Sequence, residues 1–155
     1  MAYLQGFGPE GDYLRSRFST QWKTARSYTD AQMGTTTDKT DVRVAWGNKN
    51  FTPPDNVPWV RVGIQHSGAD PASVGDASAA MHRHDGMVIV EVFVPLDAGE
   101  GDIDDLCDDV ADIFRDHSAQ QGLRLRSPYT VTVGQTGAWY KKNVLIPFVR
   151  DTVFT

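Results

Sequence analysis

Between Trp46 and Val62 the chain reads Trp-Gly-Asn-Lys-Asn-Phe-Thr-Pro-Pro-Asp-Asn-Val-Pro-Trp-Val-Arg-Val. Pro53, Pro54 and Pro58 fix φ and remove three backbone donors, so this stretch is neither a helix interior nor a central strand. Its prolines and aromatic ends predict an ordered loop. On either side, Val42 to Trp46 and Trp59 to Ile64 alternate branched or aromatic residues with others, the period of a half-buried strand. The fold must therefore accommodate two strands joined by a proline-stiffened bend.

Other elements follow from periodicity. Leu14, Phe18 and Trp22 recur at a spacing of four, which predicts an amphipathic helix from about Gly11 to Ser27 behind a flexible lead of residues 1–10. Tyr28 to Asp41 has no apolar period and reads as a connection, and Ser67 to Ala80 reads as a mobile loop of small residues. Met87 to Val94 is nearly continuous in apolar residues and is stopped by Pro95, which predicts a central strand. A second helix is expected from about Ile103 to Gln120, with Ile103, Leu106, Val110 and Phe114 on one face and Gly122 as its stop. Leu123 to Arg126, Thr130 to Gln135 and Trp139 to Val149 read as strands, the last two joined as a hairpin through Gly134 to Gly137. The order implies an α+β fold: a mainly antiparallel sheet with an N-terminal helix and a second helix packed against it, expected as one domain over residues 1–155.

Composition excludes several classes of function. A net charge of −5 offers no basic footprint for phosphate neutralisation, which disfavours a dedicated nucleic-acid binder. Cys107 is the single cysteine, so an internal disulfide and a multi-cysteine zinc site are excluded and a reducing compartment suits the chain. The N-terminus lacks a signal-peptide pattern, and no segment approaches the roughly 20 apolar residues of a membrane helix, so neither export nor a membrane association is expected.

Chemistry-bearing residues are few. His82-Arg83-His84-Asp85 contains groups that bind metals or move protons, and a small metal-dependent hydrolase using His82, His84 and an aspartate is one reading. Two histidines are too few for a closed zinc site, so the alternative is a pair of polar residues leading into a buried strand. Asp104, Asp108, Asp112 and Asp116 repeat along one edge of the second helix, where like charges repel by a few tenths of a kcal/mol per pair. They read as a solvated face or as a surface that DNA passes without sticking; an EF-hand spacing is absent. Cys107 falls on the apolar face and reads as a buried structural thiol. No nucleophile elbow and no phosphate-cradling Gly-Lys-Ser/Thr motif occurs, and no cofactor is expected.

Taken in order, Arg17-Phe18 and Trp22, Val44-Ala45-Trp46-Gly47-Asn48, Phe51-Thr-Pro-Pro, Trp59-Val-Arg61, Arg83 to Gly86 with Val88 to Val94, Leu106 with Asp109 and Phe114, Gly137-Ala-Trp-Tyr140 and Pro147-Phe148 resemble the tail terminator-like family of long-tailed bacteriophages. The resemblance implies a structural virion protein without catalytic residues, assembled in the host cytoplasm. It would form a homo-oligomeric ring of six subunits on the head-proximal end of the tail tube, stop tube polymerisation and present a surface to the head connector. The implied partners are the tail tube protein and the head-tail connector protein, with DNA passing nearby; a role as the connector itself, or as another tail-completion protein, is the neighbouring alternative. Phe51, Pro53 and Pro54, with Ser67, Asp70, Val74, His82 and Arg83, are the expected subunit or tube contacts, because a stiff loop docks at little entropic cost. Equally, Trp46, Phe51 and Trp59 are candidates for simple packing over the sheet edge.

Overall fold

The computed structural model describes residues 6–22, 28–30, 35–37, 42–71, 81–97, 99–115 and 122–153. Its elements are α1 (Phe7–Trp22), β1 (Tyr28–Asp30), β2 (Thr35–Thr37), β3 (Arg43–Trp46), β4 (Trp59–Pro71), β5 (Met81–Pro95), α2 (Gly101–Phe114), β6 (Leu123–Leu125), β7 (Tyr129–Thr136) and β8 (Trp139–Val153). Six strands form one sheet in the order β3-β4-β5-β8, with β6 and β7 sharing the far edge of β8. Every pairing in it is antiparallel except β3 with β4, so the α+β architecture with a mainly antiparallel sheet holds.

The alternation of β5 explains which face is buried. Val88, Val90, Val92 and Val94 point toward the helices, as do Val60 and Val62 on β4 and Val144, Ile146 and Phe148 on β8. Onto this surface α1 lays Leu14, Phe18 and Trp22, and α2 lays Ile103, Leu106, Val110 and Phe114. Phe18 is fully buried, stacked on Trp22 at 5.2 Å between centroids and on Phe114 at 6.4 Å. Side chains also close the polar gaps between layers. Trp22 donates its indole N–H to Val42 O at 3.2 Å, and Arg17 Nε donates to Ile113 O at 3.1 Å, satisfying a carbonyl left open at the end of α2.

Several boundaries differ from expectation, each for a physical reason. Helix α1 starts at Phe7 rather than near Gly11, because Pro9 is tolerated in a first turn and Glu10 favours a helix N-terminus. Helix α2 ends at Phe114, where Arg115 turns extended (φ −68°, ψ 140°), short of the expected Gln120. Part of the Tyr28 to Asp41 connection is an antiparallel ribbon of β1 and β2. Strand β4 runs past His66 to Pro71 and β5 begins at Met81, so Ser67 to Pro71 belong to a ladder. Backbone pairing holds these small exposed residues in line, and burial patterns cannot reveal it.

Pro147 lies inside a strand paired on both edges, a place proline normally avoids. Its carbonyl accepts Arg126 N–H at 2.8 Å, so its missing donor faces the same edge, where pairing with β7 stops at Leu145 and pairing with β6 starts at Phe148. The proline thus costs no bond in the β5–β8 ladder.

Two charge clusters tie the distal ends of the strands. Glu10 of α1 and Arg150 of β8 are both fully buried and form an ion pair, and Glu10 also meets His66 of β4. Phe7 closes the cluster, its ring 5.6 Å from the Arg150 guanidinium and edge-on to His66 and His84. On the other face, Asp151 accepts from Arg83 of β5 at 2.8 Å and pairs with Arg124 of β6 at 3.2 Å. The hydrogen bond from Arg83 holds the Asp151 carboxyl below its usual range, with the charge of Arg124 adding to it against burial.

Three outcomes are expected. Glu10→Leu or Arg150→Met alone should destabilise by about 3–5 kcal/mol by stranding a buried charge, whereas the double variant should recover most of the loss, read as denaturant midpoints. Gly86→Ala should cost about 1–3 kcal/mol, because its Cβ would meet the buried Phe148 ring and the Gln65 carbonyl at 2.9 Å. Because the Asp151 carboxyl titrates lower in the folded than in the unfolded chain, its contribution is complete above the unfolded value and is lost as pH falls through the folded one. Asp151→Asn should therefore be less stable at pH 6 yet lose less between pH 4 and pH 2, measured by chemical denaturation.

Candidate assembly surfaces

The Pro-rich passage from Gly47 to Pro58 joins parallel neighbours, so it is a crossover rather than a hairpin and must return the chain along the whole length of β3. Lys49 N–H closes a turn on Trp46 O at 3.3 Å, and Asn48 and Asn56 take the left-handed conformation (φ 56° and 55°) that asparagine tolerates. Phe51 anchors the loop. It packs 5.0 Å from Trp59, which stacks on Phe93 at 3.9 Å and meets Trp139 edge-on at 5.9 Å. This aromatic cluster lies on the sheet face opposite the helices. Arg61 and Lys141 stand over its rings at 5.3 Å and 5.4 Å, and both pair with Glu91. The Trp59 indole N–H is buried without an acceptor among the described residues.

Thus Trp59 is a core residue and Phe51 is half-buried against it, while Pro53 is exposed and Pro54 half-buried. Trp46 points to the helix side, edge-on to Phe18 at 6.0 Å. There it lines an open groove of about 790 Å³ with Arg15, Ser19, Lys49, Val62 and Ile64. Packing over the sheet explains the aromatics; the exposed residues of the loop are Gly47 to Asn50, Thr52, Pro53, Asp55 and Asn56.

The remaining candidates separate. Ser67 sits at the β4 bulge between His66 and Gly68, and Asp70 lies opposite Arg83 in the same ladder, both exposed. His82 and His84 share one face of β5, but His84 joins the Glu10–Arg150 cluster, and its pKa is lowered by burial and by the Arg150 charge. Arg83 is held by Asp151. Among the described residues no three His, Cys, Asp or Glu side chains converge to hold a metal ion. Val74 and Asp116 lie outside the described residues.

Asp104, Asp108 and Asp112 are all exposed on α2, so the acidic edge faces away from the core. Asp104 accepts from the largely buried Lys142 at 2.6 Å, and Asp112 pairs with Arg115. Cys107 is buried on the opposite face of α2, where burial pushes its thiol pKa up to about 12. A thiol at that value is not a nucleophile at neutral pH.

One surface escaped the sequence pattern. Tyr129, Val131 and Val133 on β7 are 48%, 44% and 49% exposed, and they account for three of the four large exposed hydrophobic side chains among the described residues. Alternation identified the strand, but a strand's place at the sheet edge is a property of topology.

No curated protein matches the chain. A solved structure with 18% identity, covering 90% of this chain and 94% of its own, superposes with a TM-score of 0.56, which shows a shared fold. The sequence profile of the phage tail terminator proteins matches residues 24–147, a span containing the proline-rich crossover, the β4–β5 pair and all of α2. With that match over most of its length, the chain belongs to the phage tail terminator protein family.

Proposed function

We propose that this protein is the tail terminator itself: a non-catalytic virion component that closes into a six-subunit ring on the head-proximal end of the tail tube, stops its polymerisation and offers the head connector its docking surface. The family match carries this reading. The acidic edge of α2 supports it, since exposed Asp104, Asp108 and Asp112 suit a wall past which DNA moves without adhering. So does the crossover loop. Phe51 anchors it on Trp59 and its prolines restrict it, so Pro53 and Pro54 can dock on a neighbour or the tube with little ordering cost. In this reading Ser67, Asp70, His82 and Arg83, at the distal end of the β4–β5 pair, contribute a second contact.

Position in the particle tests the proposal. Labelled protein should decorate the upper end of purified tails; label on tail-less heads alone would assign it to the connector instead. Phe51→Ala should free the loop, weaken ring formation about tenfold or more, as expected for loss of an aromatic contact worth more than about 1.4 kcal/mol, and yield overlong tails. Native ring formation together with native tail length in that variant would remove the loop from the interface.

A further inference from the structure

Strand β7 reads Tyr-Thr-Val-Thr-Val-Gly-Gln-Thr from Tyr129 to Thr136, eight residues with no charge and no proline. It pairs with β8 on one side, and among the described residues its other side is open. Open edges of this kind template pairing with other chains, and soluble proteins guard them with lysine, proline, inward charge or a bulge. Here the only guard is the irregularity between Thr132 and Gly134, beyond the first half of the strand. Tyr129 and Val131 remain substantially exposed along an unguarded edge. Tyr129 also ends a row, Gly63-Ile89-Leu145-Tyr129, that crosses the helix-free face of the sheet and stops at this edge.

The opposite edge of the same sheet is β3, which among the described residues pairs only with β4. Its paired length, Arg43 to Trp46, equals the regular part of β7, Tyr129 to Thr132, at four residues each. The edges also do not repel: β7 has no charge, and β3 has only Arg43. We infer that β7 of one subunit pairs edge to edge with β3 of a second copy, extending the sheet from subunit to subunit. The two edges are different surfaces of one chain, which is the requirement for a heterologous contact; repeated around a closed ring, it leaves neither edge free. An uncharged edge offers phosphate no cationic side chain, and main-chain hydrogen bonds supply the affinity of strand pairing.

This inference rests on the oligomeric reading proposed above, and one experiment separates the two. Wild type and Val131→Lys are compared by sedimentation velocity over a concentration series, with and without purified tail tubes, while amide hydrogen exchange is followed in the wild type. Val131 is exposed, so the variant should keep its melting temperature while a lysine on the edge raises the assembly midpoint by roughly tenfold or more. In the assembled wild type, amides of residues 129–132 and 43–46 should slow together. A wild type that assembles with those amides unchanged, or a lysine variant that assembles equally well, overturns the edge pairing and leaves the ring standing. A wild type that stays a single subunit even with tubes overturns both. Protection of β7 that appears only on tubes, without self-association, overturns the second copy as the occupant in favour of the tube protein.

Discussion

The antiparallel ladder between β5 and β8 is the constraint on which the remaining structure depends. It runs unbroken from Met81 opposite Val153 to Pro95 opposite Trp139, and each strand spans about 50 Å at the usual rise. Because its side chains alternate, one register decides both faces at once: a valine-rich floor for the helices and, behind it, the stack of Trp59 on Phe93. A slip by one residue would exchange the two faces. Gly86, packed against Phe148, and Arg83, held by Asp151, lie opposite their β8 partners or adjacent to them and resist such a slip.

Much of this frame was legible in the sequence, because apolar periodicity reports burial. The valines of β5, the apolar face of α2 and the Leu14-Phe18-Trp22 stripe all entered the core. The start of α1 was missed because Gly8-Pro9 looks like a loop until one sees Glu10 buried beside Arg150, a pair 140 residues apart in sequence. The outer half of β4 was missed because Ser67 to Pro71 bury little, and a ladder made by backbone groups leaves no trace in side-chain hydrophobicity. Phe51 illustrates a mixed result. Its type and setting marked the loop as important, but only the fold shows that the Phe51 ring anchors the loop inward and leaves Pro53 exposed.

Charge is distributed in keeping with a protein that works by contact. Buried Glu10 is matched by Arg150 and buried Lys142 by Asp104, and Asp104, Asp108 and Asp112 are exposed on α2. His84, one of the two histidines expected to do chemistry if any did, instead lies edge-on to Phe7, with its pKa lowered by burial and by the Arg150 charge. What the fold leaves available is geometry: a proline-stiffened loop with Pro53 exposed, an acidic helix edge and an uncharged strand edge.

The single thiol gives this arrangement a property of its own. Cys107 is buried on α2 with its pKa raised to about 12, so the folded subunit presents no thiol to another chain. Any assembly it enters is held without covalent links through cysteine, so its contacts do not depend on a disulfide being formed or reduced.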